Sequence, residues 1–415
     1  MFSDTLRNHK RFMAVVKKIK LSRKQKRNMR RKLAKKLKSA CNRHRDRPGV
    51  EIDMDTLSDT EFQRMFRLDR ETFGELLQKI TPFLPADEKK ACNSSGSLIT
   101  AKLRLACTLR WLAGGSYLDI CFGFKVSKAA FFSETNRGII WPVIDAIDSV
   151  LEIYLPEEES ELDRMAEEFS HLAGPLGRDI FQHCIMAIDG WVCQTRAPTS
   201  KEVNRPKDYF NRKGFFGIVC LAGCDARTKF TFFSSKFAGG THDVIAYRGS
   251  ELATLLETGK LPSRFYVIGD DAFDISLQLL TPYAGHGLGE WKDSYNYHLS
   301  AMRQCIERAF GILTQRWGVF WRPLRCSQDR WSDVAMVCAK LHNLCIDKNI
   351  PVAPRHPRNA QTDSLWNVHL NGPSEEEPTR VIAGNDKGAT RRRLTHAFEA
   401  AGAKRPPHAA LNSRK

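Results

Sequence analysis

The sequence predicts an α/β protein in which an all-helical N-terminal region precedes a core of mixed strands and helices. Residues 58–150 place apolar residues at helical spacing behind Ser and Asp capping signals. From residue 181 the pattern changes to short, β-prone apolar runs bounded by turn residues. Amphipathic helices then alternate with those runs, as expected of a sheet covered by helices.

The elements follow in order. SDTEFQRMFRLDRETFGELLQKITPFL reads as two short helices with Ser58 and Asp69 as N-caps. Phe62, Met65 and Phe66 form one apolar face, and Phe73, Leu76 and Leu77 the next. Residues 98–150 read as three helices. The first covers about 100–113 and closes at Gly114-Gly115; the second follows Ser116; the third starts near Ser127, with Pro142 as a kink. Helix, short turn and Ser-capped helix make this stretch helix-turn-helix-like, with Lys128 and Arg137 as candidate DNA contacts. A plain helical bundle fits the same pattern equally well. Residues 151–178 are acidic, either a linker or a cover helix.

HCIMAIDGWVCQTRA is the first strand. FFGIVCLAGCDARTKFTFFSSKFAG is two strands joined at Asp225-Ala226-Arg227-Thr228. A helix over about 244–257 follows, then the buried strand RFYVIGDD. SAMRQCIERAFGILTQRWGVF forms a long helix with Leu299, Met302, Ile306, Phe310 and Leu313 on one face. A last helix spans about 331–346. Strand, hairpin, helix, strand, helix is the order of an RNase H-like core over 180–347. Residues 348–415 read as a mostly flexible tail with a short basic helix near 388–401.

Charge is unevenly placed. Residues 1–48 hold 19 Lys and Arg against 2 Asp, which accounts for nearly all of the chain's +18. This basic tail has too few apolar positions to bury a face and is expected to be disordered alone. Lys17, Lys18, Arg30 and Arg31 are candidates for binding nucleic-acid phosphates by counterion release, and the run also suits a nuclear import signal. The competing reading is a solvated tail that only aids solubility. No stretch of about 18 apolar residues predicts a membrane span. The N-terminus lacks the apolar core of a secretory signal. The 12 cysteines form no CxxC pair, which suggests a reduced intracellular setting. Cys220 with Cys224, or Cys338 and Cys345 with His342, do not match structural zinc spacings.

Four acids carry the candidate chemistry. Cutting a phosphodiester bond requires charge to be offset on the phosphate and water or a hydroxyl to be made nucleophilic. Two Mg²⁺ or Mn²⁺ ions about 4 Å apart do both, and such hard cations need oxygen ligands. Asp189 sits within the apolar strand IMAIDG, where a carboxylate is costly unless paired or metal-bound. Asp270 ends the strand YVIGD at a carboxyl edge where α/β sites form, but it equally suits the start of a turn. Asp271 is expected to point the other way. Glu307 on the long helix is, by spacing alone, better explained by a salt bridge to Arg303. Asp243 after Thr241-His242 suits an N-cap or a fourth metal-site acid. His242 is a candidate phosphate contact or base.

Taken together, IMAIDG, GGTHD, GDDAF with LLTPY, YNYHLSAMRQCIERAFGILTQRW and CAKLHNLCI resemble the Harbinger/PIF-type DDE transposases and their domesticated nuclease-like relatives. The resemblance covers roughly residues 58–347. It implies an RNase H-like endonuclease or transposase with Asp189, Asp270 and Glu307 as catalytic and metal-holding acids. Asp243 is implied as a fourth metal-site position and a divalent cation, Mg²⁺ or Mn²⁺, as cofactor. It further implies DNA as substrate, a nuclear location, a Myb-like DNA-binding partner and the possibility of oligomers. Two departures stand out. Asp271, Phe273 and Asp274 follow the Gly-Asp pair, where the family usually has Ser or Ala and then Tyr-Pro. Trp191-Val192 replaces the family's Thr-His after AIDG. The alternatives are a domesticated DNA-binding protein that no longer cuts, and an α/β protein whose acids are caps and salt bridges.

Overall fold

The computed structural model describes residues 27–28, 45–86, 98–135, 138–352 and 386–406. Lys17, Lys18, Arg30, Arg31 and Arg137 lie outside them. Five strands form the sheet: β1 (Cys184–Gln194), β2 (Gly217–Cys224), β3 (Phe230–Ala238), β4 (Tyr266–Ile268) and β5 (Leu279–Leu280). Their order is β3-β2-β1-β4-β5. The β1-β2 and β2-β3 pairs are antiparallel, and β1-β4 and β4-β5 are parallel. The β2-β3 turn is set by Asp225, whose Oδ1 accepts from the amides of Arg227 and Lys229, and by Thr228 at φ 70°.

The helical region begins earlier than expected, with α1 (Arg47–Thr56). α2 (Asp59–Phe66) and α3 (Arg70–Ile80) follow, capped by Ser58 and Asp69 as their sequences indicate. α4 (Ala101–Leu112), α5 (Tyr117–Gly123), α6 (Lys128–Phe131) and α7 (Ile140–Val150) complete it. The helix expected from Ser127 thus stops after one turn. Pro142 does not kink it; it lies in the first turn of α7, where a missing amide costs nothing. Gly114, at φ 98°, takes the α4-α5 turn against Gly318, with no room for a side chain.

The acidic stretch forms α8 (Glu159–Ser170), a cover helix. Its Leu162, Met165 and Ala166 pack against Ile185, Met186 and Ile188 on one face of β1. The expected 244–257 helix is two: α9 (Asp243–Arg248) and α10 (Glu251–Glu257), broken at Gly249 and re-capped by Ser250. The opposite sheet face carries α11 (Glu290–Arg316) and α12 (Trp331–Asp347). α11 starts well before the expected Ser300, and Leu299, Met302, Ile306, Phe310 and Leu313 are all buried. One apolar cluster runs from Phe66 and Leu105 of the helical region through Ala187 to Ile306 and Trp317. Arg330 ties the two parts further, pairing with Glu134, Asp145 and Asp333 and lying over Trp141. Among the described residues no helix is long and apolar enough to cross a membrane.

The short basic helix near the end of the chain is α13 (Ala389–Ala400), and it is docked on α11. Phe398 is fully buried, stacked on His298 at 5.1 Å and set against Phe181. Thr395 meets the Tyr283 hydroxyl at 3.0 Å, and Arg391 donates to the Pro282 carbonyl. Phe398→Ala is expected to cost about 3–5 kcal/mol and lower the Tm, since the cavity opens against a fixed helix; thermal unfolding checks it.

Candidate active site

The sheet places the first two acids. β1 and β4 are central, parallel neighbours, with Ala187 opposite Ile268. Asp270 follows the end of β4 by two residues, close enough to Asp189 to feel its charge. Asp189 shares the face of β1 that carries Ala187, the face covered by α11. α11 supplies the third acid. Arg303 and Glu307, one turn apart, line its edge toward β1. Arg303 donates from Nη1 to Asp189 Oδ2 at 2.9 Å and from Nη2 to Glu307 Oε1. The Arg303–Glu307 salt bridge read from spacing is therefore present, but it reaches onward to the central strand. Both Asp189 and Arg303 are mostly covered, at 19% and 21% side-chain exposure, whereas Glu307 at 42% opens to solvent.

Asp243 is not an N-cap. His242 holds the cap position and Asp243 is the first residue of α9. Its carboxylate lies over Gly190, where an added Cβ would stand 2.2 Å from Oδ1. Glycine after Asp189 is thus required by the approach of Asp243. Asp270 is partly covered, and its Oδ1 accepts from the Ala272 amide at 3.1 Å. Asp271 is exposed, consistent with pointing away from Asp270.

Burial and mutual repulsion dominate the electrostatics. Desolvation pushes Asp189 up to about 6; Arg303 and the Gly190 amide oppose this, while Asp243 and Glu307 add to it. Desolvation, then Asp189, pushes Asp270 up to about 7. Asp243 is also raised by burial, against Arg212, Lys213 and His242. The cluster therefore carries more negative charge than Arg303 balances. An all-carboxylate donor set with surplus charge suits a hard divalent cation. As the side chains stand, no three His, Cys, Asp or Glu groups among the described residues close on one point. The Arg303 guanidinium lies between Asp189 and Glu307 instead.

The sequence named all four acids but not the roles of four other residues. Arg303 was visible only as a helix neighbour of Glu307, because its contact to Asp189 crosses 114 residues. Gly190 gave no signal. Nothing in the sequence put Arg212 and Lys213 near Asp243. Of the candidate DNA contacts outside the site, Lys128 is exposed on α6 with its ammonium over Tyr117.

Two outcomes follow for the protein without metal. Arg303→Met strands the Asp189 carboxylate and is expected to lose about 3–5 kcal/mol of stability in denaturant unfolding. The folded-state values of Asp189 and Asp270 lie above the ordinary carboxylate value. The folded state then holds extra protons, and stability falls as pH rises from about 4 toward 7. Asp270→Asn is therefore expected to raise stability by about 1–3 kcal/mol at pH 8 and by much less at pH 5, read from paired melts.

The DDE superfamily endonuclease family matches residues 188–343, a span that contains all four acids. "Protein ALP1-like" of Arabidopsis thaliana is 25% identical over 321 residues, covering 73% of this chain and 74% of that protein. "Putative nuclease HARBI1" of Rattus norvegicus is 26% identical over 230 residues, and that of Mus musculus 27% over 232. Each covers 54% of this chain, which spans 58% of their length. No solved structure matches. The chain thus carries a DDE superfamily endonuclease domain over residues 188–343 and is a homologue of the ALP1-like and HARBI1 proteins.

Proposed function

We propose that this protein is a divalent-metal-dependent DNA endonuclease of Harbinger-type transposase descent, built on an RNase H-like core. One observation carries the reading: Asp189, Asp270 and Glu307, from β1, the end of β4 and α11, gather around Arg303 with surplus negative charge. The strand order β3-β2-β1-β4-β5, with Asp189 on β1 and Asp270 just past the end of its neighbour β4, supports the RNase H-like assignment. A bound Mg²⁺ or Mn²⁺ would supply charge to offset the phosphate and would lower the pKa of water so that hydroxide is available as nucleophile.

The chain's own groups do the rest. Asp189, Asp270 and Glu307 would hold the ion, and Asp243 approaches β1 from the Gly190 side as a fourth acid. Arg303 presents a planar fork suited to a phosphate once its carboxylates are otherwise engaged. Lys17, Lys18, Arg30 and Arg31 would add salt-sensitive DNA affinity. Residues 98–150, with Lys128 and Arg137, would contribute a helix-turn-helix-like contact, and the basic tail would direct the protein to the nucleus.

The second reading, a domesticated DNA-binding protein that no longer cuts, draws on the same ion pairs. Arg303 already neutralises two of the acids, and no three of them close on one point. Nicking of supercoiled plasmid by the purified full chain separates the readings. The endonuclease reading expects Mn²⁺- or Mg²⁺-dependent nicking that falls to background in Asp189→Asn. Undiminished nicking in that variant would sink the assignment, whereas Mn²⁺ binding without nicking favours the second reading.

A further inference from the structure

Between β1 and β2 the chain makes a long excursion over residues 195–216, rich in cations: Arg196, Lys201, Arg205, Lys207, Arg212 and Lys213. Its far end is a tight turn. The Asn211 amide donates to the Phe215 carbonyl at 2.9 Å, and Asn211 Oδ1 accepts from the Lys213 amide at 2.8 Å. Gly214 turns the corner at φ 85°. Phe210 and Phe216 pair across the base, ring centroids 5.0 Å apart. This shape holds Arg212 and Lys213 side by side at the exposed tip.

The turn is fastened to the acids. The Gly240 amide donates to the Asp208 carbonyl at 2.8 Å, and the Gly239 amide to the Gly217 carbonyl at 2.9 Å. A Cβ at Gly239 would come 2.7 Å from the Tyr209 carbonyl, and one at Gly240 2.9 Å from the Phe210 carbonyl. Only two glycines let the backbones approach this closely. The next residues in the chain are Thr241, His242 and Asp243. The tip lies close enough to Asp243 for its carboxylate to feel both Arg212 and Lys213, and Lys213 also feels Asp189.

We propose that the Asn211–Phe215 turn is a phosphate clamp: Arg212 and Lys213 grip the DNA backbone beside the acid cleft, and the Gly239-Gly240 turn fixes the clamp's distance from Asp243. Two adjacent cations at an exposed tip meet successive phosphates of one strand without reading bases. Their position next to carboxylates serves a second purpose. A polyanion is repelled by the acids, and the clamp supplies the attraction that brings it there. The pair is absent from the basic tail's account of DNA affinity, because it sits at the cleft rather than in the leading 48 residues.

The clamp rests on the proposed DNA-endonuclease function, and the test keeps the two apart. Binding of a fluorescein-labelled DNA duplex to the full chain is followed by anisotropy in EDTA, where nothing is cut. Over about 50 to 200 mM KCl, Arg212→Gln/Lys213→Gln is expected to flatten the slope of log affinity against log salt by about 1.8, two phosphate contacts' worth. Gly240→Ala keeps every charge but crowds the fastening, and is expected to weaken binding if circular dichroism shows it folded. A slope unchanged in the double variant, with wild-type protein binding the duplex, overturns the clamp. Wild-type protein that binds no duplex at all overturns the DNA reading itself.

Discussion

A carboxylate can stay in a half-buried cleft only if something answers its charge, and here that answer is Arg303. It bridges the central strand to the long helix by pairing with Asp189 and Glu307 at once. The bridge fixes the rotation of α11 about its axis and with it the position of Glu307. It also fixes which face of β1 is chemical. The surrounding apolar packing, from Ile306 and Phe310 to Ala187, is arranged so that this guanidinium and its partners are the polar groups left at the seam. Asp270 sits next to the bridge without a hydrogen bond to it; burial, then the Asp189 charge, raise its proton affinity, and Arg303 opposes them.

Periodicity exposed the helices well, because a face of Leu299, Met302, Ile306 and Phe310 has one reasonable use. It was weaker where packing decides. The break between α9 and α10 falls at Gly249, where a side chain would meet the Phe237 ring, and at Ser250, which caps α10. β5, only Leu279–Leu280, is defined by its pairing with β4 and by the Ser276 and Gln278 bonds around it, not by its own pattern. Among the acids, Asp189 was legible because an acid inside an apolar strand has to be accounted for. Glu307 was not, since its i−4 arginine explained it fully until the strand supplied a third partner.

The departures from the family pattern have structural uses. Trp191 packs against Phe310 and Phe320, so the position after AIDG has become part of the wall between sheet and helix. Phe273 is buried against Tyr247 and covers Gly269. Asp274 pairs with Arg248 at the end of α9 and ties the GDDAF turn to the helix that begins with Asp243. These residues hold the cleft's walls and leave its acids where they are. His342, whose ring bonds the Thr228 carbonyl while Asn343 brackets Phe230, anchors the β2-β3 hairpin from α12 in the same way.

The docking of α13 on α11 has a consequence in time. The helix that carries Arg303 and Glu307 is covered on its other side by Phe398, and Arg405 pairs with Asp293 near its start. Residues 389–405 leave the ribosome about a hundred residues after α11, some seconds later at ordinary synthesis rates. Until then the acid-bearing helix lacks the cover that Phe398 and Arg405 give it.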